Sequence, residues 1–275
     1  MAGVLDGLTV GFLGAGAMAE AMLRGLGGAG GRLLASDPDP SRRSKVEAGY
    51  GVKVFADNQA LVSEADVVVL AVKPQMAGTV LAEVGAALRP GQALLSIVAG
   101  LRLETIKTAV AARGVIRAMP NAPALIGAGI TGVALGEQDA RLESLARAIL
   151  APLGRMVFVP ESLLDAVTGL SGSGPAYVAL FTEAMIEAGV KVGLPRPIAV
   201  ELAVQTLLGT AKLLADGESP AALRERVTSP GGTTASGLYA LERGRLRAAV
   251  SEAVTEATER AAVLGGANKT RSDGA

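Results

Sequence analysis

The sequence predicts an α/β chain in two parts, a doubly wound parallel sheet followed by a domain made only of helices. Three observations carry this. Short apolar runs alternate with helical patterns through the first 160 residues, as strand–helix–strand units do. A Gly-x-Gly-x-x-Ala element at 14–19 joins the first apolar run to the first helical pattern. After Glu161 strand signals stop, and helical patterns punctuated by Gly and Pro fill the remainder.

The elements follow in order. Leu8 to Leu13 reads as a buried strand, and Gly14 to Leu26 as a helix with Met18, Ala21, Met22 and Gly25 on one face. Arg32 to Ala35 and Val52 to Phe55 are short strands. Val67 to Val72 is apolar without alternation, the pattern of a strand covered on both faces. Ala93 to Val98 and Val115 to Ala118 continue the series, and Ile130 to Leu135 and Met156 to Val159 flank a helix from about Glu137 to Leu150. Helices are then expected over Ala176 to Val192, Pro197 to Ala215, Pro220 to Val227, Thr234 to Glu242 and Leu246 to Leu264. The boundary falls near 160, giving a dinucleotide-binding domain at 1–160 and a helical domain at 161–275. The apolar faces of the second domain exceed what about 110 residues can bury alone, so a dimer is expected. Arg271 to Ala275 reads as a disordered tail.

Composition excludes more than it selects. Half the 275 residues are apolar but only 3% are aromatic, so the interior is built from Ala, Val, Leu and Ile. Lys plus Arg equals Asp plus Glu at 26 each, leaving no global field to draw in nucleic acid or an anionic membrane. No apolar run is read as a membrane span, and Met1 to Asp6 lacks the regions of a signal peptide, so a cytoplasmic protein is expected. The chain has neither Cys nor His. Disulfides, thiol nucleophiles, thiolate metal sites and the usual near-neutral general base are therefore absent.

In the N-terminal half, Gly14 permits a tight turn, Gly16 lets a pyrophosphate approach the backbone, and Ala19 lets helix and strand pack closely. Gly14, Gly16, Ala17 and Met18 are thus candidate cofactor contacts. The second strand ends in Ser36-Asp37-Pro-Asp-Pro-Ser-Arg42-Arg43. Asp37 suits the ribose 2′-hydroxyl of NADH, whereas Ser36 and the arginines suit the 2′-phosphate of NADPH, and the preference stays open. Val72-Lys73-Pro74 follows the fourth strand at the edge where ligands bind in such sheets. Lys73 reads equally as a surface lysine of a βα loop. Met119 and Asn121, between Pro120 and Pro123, close the sixth strand at the same edge, with a rigid linker as the competing reading.

Downstream, Ser229-Pro-Gly-Gly232-Thr233-Thr234 opens a helix. Such a loop aims unpaired N–H groups and the positive end of a helix dipole at one spot, a seat for a carboxylate or phosphate. Ser171-Gly-Ser173-Gly-Pro175 is a second glycine–serine loop, read as a hinge, a further wall of the site, or a helix cap made by Ser173.

Together these segments resemble pyrroline-5-carboxylate reductase. The resemblance spans nearly the whole chain: Gly-Phe-Leu-Gly-Ala-Gly-Ala-Met-Ala-Glu at 11–20, Ala-Val-Lys-Pro at 71–74, Arg-Ala-Met-Pro-Asn-Ala-Pro-Ala at 117–124, Gly-Leu-Ser-Gly-Ser-Gly-Pro-Ala-Tyr at 169–177 and the 229–234 loop. It implies a Rossmann domain, a helical dimerisation domain that also binds substrate, NADPH or NADH as cofactor, and a homodimer that in many members builds a ring of dimers. It also implies that Ser229 and the amides of Gly232, Thr233 and Thr234 hold the substrate carboxylate. Asp37 departs from the neutral residue of many NADPH-preferring members. The implied substrate is a cyclic imine whose protonated form is already electrophilic, so hydride transfer needs no histidine. Thr234 is the candidate for a catalytic hydroxyl at the ring nitrogen, with a helix cap as the alternative. Glu218 is a further candidate neighbour of that nitrogen, with a solvated loop carboxylate as the alternative. Two rival readings share the N-terminal features: a β-hydroxyacid dehydrogenase using Lys73 or Lys191, and a non-catalytic dinucleotide sensor.

Overall fold

Apolar residues alternating between two covered faces build the sheet. Its strands are β1 Thr9–Leu13, β2 Arg32–Ser36, β3 Lys53–Phe55, β4 Val67–Leu70, β5 Ala93–Ser96, β6 Gly114–Met119, β7 Gly129–Leu135 and β8 Gly154–Phe158, in the spatial order β3-β2-β1-β4-β5-β6-β7-β8. The computed structural model describes residues 3–110 and 114–266. The expected tail from Arg271 lies outside them.

Helices α1 Ala17–Leu26, α2 Pro40–Tyr50 and α6 Ala140–Leu150 contribute to the core on one face, and α3 Asn58–Glu64, α4 Pro74–Val84 and α5 Leu103–Ala109 to the core on the other. β4 shows why its run has no polar alternation: Val67 and Val69 enter the first core, Val68 and Leu70 the second, and all four are fully buried. Each such side chain contributes about 1.5–3 kcal/mol of burial. Gly11 lets α3 approach closely, since a Cβ there would lie 2.5 Å from Leu61 Cδ2.

One feature departs from an all-parallel sheet. β7 runs antiparallel to β6, while β8 is parallel to β7. The connection between β6 and β7 is residues 120–128, which hold a 3-10 turn over Ala122–Ile126 and no crossover helix. A parallel return needs a dozen or more residues, so this short proline-braced connection reverses the chain.

By compactness the chain divides into a sheet unit, which takes in the described residues up to Gly172 and those from Glu256 onward, and a helical unit, Ser173–Thr255. Residues 161–172 contain α7 Leu164–Val167 and a π-helical turn, Thr168–Gly172. Leu164 lies in the second sheet core.

The helical unit contains α8 Gly174–Lys191, α9 Arg196–Ala215, α10 Pro220–Arg226 and α11 Thr233–Arg243, and α12 Leu246–Leu264 contributes to both units. α8 and α9 pack together where Gly189 meets Ala199, a glycine Cβ coming within 3.2 Å of the alanine Cβ. Among the residues of α8 and α9 only Ala199 and Ala203 are buried, while Leu180, Phe181, Ile198, Leu202 and Leu208 stand exposed. The second domain therefore leaves its apolar faces uncovered, as its sequence predicts. One expectation is corrected here. By length and composition alone α9 reaches membrane-span character, 20 residues long with an 18-residue stretch of mean hydropathy 1.5. Its Ala, Gly and Thr residues and Glu201 break up the apolar run to the eye without lowering the average below that of a span.

Candidate active site

The sheet order reverses around β1, whose neighbours are β2 and β4, so a crevice is expected beyond the carboxyl ends of these strands. The candidate cofactor residues gather at this edge. Gly14 follows β1 at φ 92°, donates its N–H to Ser36 O at 2.9 Å, and a Cβ there would sit 2.8 Å from Ala71 O beyond β4. Only glycine fits that turn. Gly16 is the N-cap of α1 and offers no side-chain cap. The first intrahelical bond is Glu20 N–H to Gly16 O, so the amides of Ala17, Met18 and Ala19 have no helical acceptor. A Cβ built on Gly16 meets nothing within 4 Å. Open space over bare amides at a helix start is the cradle a dinucleotide pyrophosphate requires, and these residues fit that group.

At the end of β2 the structure separates two side chains that the sequence offers together. Ser36 is fully buried and donates its hydroxyl to Asn58 Oδ1 at 2.7 Å, an internal bond of the sheet. Asp37 is partly exposed, and its carboxylate accepts the N–H of Ala15 at 3.1 Å and of Asp39 at 3.0 Å. It is thus tied to the glycine turn itself. Asp39 caps α2, and the hydroxyl and backbone N–H of Ser41 hold its carboxyl below the usual carboxylate range. The two arginines are engaged within the chain. Arg42 donates to Ala15 O at 3.1 Å and lies 3.6 Å from Glu20, while Arg43 donates to Asp37 O and Pro38 O at 2.9 and 2.8 Å.

Lys73 is the N-cap of α4, with Pro74 as its first residue; it is exposed and makes no side-chain hydrogen bond or ion pair among the described residues. Val72 packs against Gly14, where a glycine Cβ would be 3.0 Å from its Cγ1. Asn121 accepts the N–H of Ile130 at 3.0 Å, so its amide oxygen anchors the start of β7. Met119 lies against Gly172, a Cβ there coming 2.8 Å from its Cε.

Sequence reading missed the residue that fixes this end of β6. Arg117, 3% exposed, pairs with Glu161 at 2.9 Å and Asp165 at 3.6 Å. Glu161 also accepts the N–H of Leu103 at 2.7 Å. Arg102 reaches Asp165 at 3.4 Å and Gly265 O at 2.7 Å, so α5, the 161–165 segment and the end of α12 converge on this cluster. An arginine inside a strand that is otherwise buried and apolar is the signal that marks it.

In the helical unit, Ser229 to Gly232 form a β-turn with Pro230 second and Gly231 third at φ 68°, closed by Gly232 N–H to Ser229 O at 3.0 Å. The amide of Gly232 is therefore engaged in the turn, a change from the expected donor set. Gly232 is the N-cap of α11, and the first intrahelical bond is Ser236 N–H to Gly232 O at 3.2 Å. The amides of Thr233, Thr234 and Ala235 are left without helical acceptors, and Ala235 is one that sequence reading did not name. Thr234 is the second residue of α11 and not its cap, and its hydroxyl makes no hydrogen bond among the described residues. Glu218 pairs with Arg226 at 2.7 Å, an engagement that neither expected reading of that carboxylate named. Ser173 occupies the N-cap of α8 without a side-chain cap bond, so capping does not explain its loop.

The domain family described as pyrroline-5-carboxylate reductase dimerisation matches residues 161–264, and that described as NADP oxidoreductase, coenzyme F420-dependent, matches residues 9–100. The chain is 44% identical over 265 residues to a pyrroline-5-carboxylate reductase of Synechocystis sp., covering 94% of this chain and 98% of that one. A solved pyrroline-5-carboxylate reductase from Coxiella burnetii superposes with a TM-score of 0.87 at 34% identity, over 94% of this chain and 99% of that one. A Plasmodium falciparum pyrroline carboxylate reductase with NADP bound gives a TM-score of 0.83 at 30% identity, over 95% of this chain and 99% of that one. Identity at this level along both units, in the same order and with almost nothing left over at either end, goes beyond a shared fold: the chain belongs to the pyrroline-5-carboxylate reductase family.

Proposed function

We propose that the chain reduces 1-pyrroline-5-carboxylate to L-proline, the last step of proline synthesis, at the expense of NADH or NADPH. The observation that carries this reading is the start of α11, where the amides of Thr233, Thr234 and Ala235 lack acceptors beside a rigid Ser-Pro-Gly-Gly turn. A carboxylate suits those donors and the helix dipole behind them. Ser229 adds a hydroxyl at the same turn, while Gly232 shapes it.

A nicotinamide held at this edge would supply the hydride for the imine carbon. The protein's part is to bind, orient and exclude water. Gly14, Gly16, Ala17 and Met18 cradle the pyrophosphate, Asp37 meets the ribose, and Val72, Lys73, Pro74, Met119 and Asn121 line the same sheet edge; Ser36 supports this edge from within. With no histidine or cysteine in the chain, the imine arrives protonated or takes its proton from a hydroxyl, a lysine, a carboxyl group or water. The free hydroxyl of Thr234 is the side chain suited to hydrogen-bond the ring nitrogen. Thr234→Ala is expected to lower kcat/KM for the imine by about 10- to 100-fold. Its affinity for the dinucleotide should stay unchanged in a direct binding titration. Turnover and KM equal to wild type would remove Thr234 from the mechanism.

The substrate assignment is tested by following dinucleotide absorbance, first NADH or NADPH with pyrroline-5-carboxylate, then NAD⁺ or NADP⁺ with a 3-hydroxy acid. Oxidation of cofactor in the first assay alone is expected. Activity in the second alone would make the chain a hydroxyacid dehydrogenase, and inactivity in both would leave the sensor reading.

The uncovered apolar faces of α8 and α9 support a homodimer formed through the helical domain, and dimers of this kind can close into a ring. We place the family-domain boundary near residue 160, where the dimerisation match begins, although residues 161–172 pack with the sheet unit, and the protein in the cytoplasm, which its neutral charge balance suits. The reading includes no nucleic-acid or membrane partner.

A further inference from the structure

We propose that Asp37 is the specificity-determining residue for the dinucleotide: its carboxylate accepts the ribose hydroxyls of NADH and excludes the 2′-phosphate of NADPH, making this chain an NADH-preferring member of its family. The inference rests on the functional reading above and adds to it a choice between two cofactors.

Four observations converge. Asp37 closes β2 at the edge where an acidic residue binds the ribose 2′-hydroxyl. Its carboxylate is held in place, one oxygen by Ala15 N–H inside the glycine turn and the other by Asp39 N–H. Two backbone donors leave lone pairs on both oxygens for hydroxyl donors, and the side chain remains partly exposed. No ion pair among the described residues involves Asp37, so its charge is not cancelled locally.

The cations a 2′-phosphate would need are committed elsewhere. Arg42 is drawn back to Ala15 O and to Glu20, a carboxylate only 8% exposed. Glu20 is itself fixed by Lys45 at 2.8 Å and by the Tyr50 hydroxyl at 3.3 Å. Arg43 is folded onto the carbonyls of Asp37 and Pro38, bracing the loop from behind. Ser36, the small hydroxyl suited to a phosphate, is buried and bonded to Asn58. A second carboxylate, Asp39, stands two residues away, held below the usual carboxylate range by hydrogen bonds from Ser41. A 2′-phosphate brought here would meet one fixed anion, a second nearby, and two arginines each already tied back by one guanidinium nitrogen. Juxtaposed like charges of this kind suppress a wrong ligand strongly.

The test is direct binding, measured by isothermal titration of NADH and NADPH into the purified protein at fixed ionic strength. Wild type is expected to bind NADH at least about tenfold more tightly than NADPH. Asp37→Ser should shift that ratio toward NADPH by about tenfold or more, with weaker NADH binding. Asp37→Asn removes the charge and keeps a single amide oxygen, enough for the Ala15 or the Asp39 N–H but not both. It should shift the ratio toward NADPH in the same direction as Asp37→Ser. Arg42→Ala should leave the ratio within about threefold of wild type, since Arg42 is not the phosphate ligand. Equal or tighter binding of NADPH by wild type overturns the inference, as does a ratio unmoved in both Asp37 variants or a selective collapse of NADPH binding in Arg42→Ala. NADH-selective binding without imine-dependent oxidation would sink the substrate assignment and leave the role of Asp37 standing. Binding of neither dinucleotide would overturn both.

Discussion

A Gly16→Val protein is expected to fold and to lose dinucleotide binding, with Kd rising on the order of 100-fold for NADH and NADPH alike. The two halves of that expectation come from different observations. Gly16 sits at φ −75° and ψ 177°, an extended conformation open to any residue, and a Cβ there touches nothing within 4 Å. The only folding cost is a poorer N-cap for α1, about 1 kcal/mol. In a chain of this size that lowers Tm by roughly 2–4 °C. The empty space over the amides of Ala17 and Met18 is, however, the space a pyrophosphate enters, and two extra methyl groups hold it off the backbone. Thermal melts without ligand, paired with binding titrations, check both halves. Near-wild-type binding by a folded Gly16→Val protein would mean that the pyrophosphate lies elsewhere. The neighbouring Gly14→Ala change has no such clean reading, because φ 92° and a 2.8 Å approach to Ala71 O strain the folded chain itself.

Arg117→Ala is expected to be the most destabilising single change at the candidate site. Removing a cation that is 3% exposed takes from Glu161 its only ion-pair partner among the described residues and leaves Asp165 with Arg102 alone. Losing one member of a buried ion pair costs about 3–5 kcal/mol. Glu161 keeps 28% of its side-chain surface and its bond from Leu103, so the lower end applies, about 3 kcal/mol. That corresponds to a fall in Tm of roughly 6–12 °C at fixed protein concentration. A paired Arg117→Met/Glu161→Gln variant should recover part of the loss, because it removes the uncompensated charge while Gln keeps an acceptor for Leu103. Simple additivity of the two single changes would show that the charges are not coupled. The imine KM should report the same lesion. β6 delivers Met119 two residues beyond Arg117, and Asn121 fixes the next strand, so a loosened cluster disturbs that edge.

Much of this protein is legible in its sequence because its signals are local. β4 is visible as Val-Val-Val-Leu since both its faces are covered, and the turn at Gly14 is visible because only glycine tolerates its backbone. The helices after residue 173 announce themselves by Pro at their starts and by the Gly and Pro punctuation between them. The loop at 229–234 was readable as an anion seat for the same reason: Pro and Gly dictate the turn, and the turn dictates a bare helix start.

Other features depend on which distant residues meet. Ser36 and Asp37 are adjacent and both polar, and nothing local tells which is turned inward; Asn58, 22 residues from Ser36, decides it. The pairing of Arg42 with Glu20 across two helices withdraws an arginine that the sequence offers to a phosphate. Arg117 finds its carboxylates 44 and 48 positions away, where spacing carries no information. The reversal of β7 reflects the span available to one connection. The sequence by itself determined the order of elements, the glycine turns and the chemistry excluded by the absence of histidine and cysteine, because these follow from backbone conformation and residue type alone. Only the tertiary structure decided which charges are cancelled and which remain presented, because a charge's effect is set by the partners that long-range packing brings within hydrogen-bonding distance.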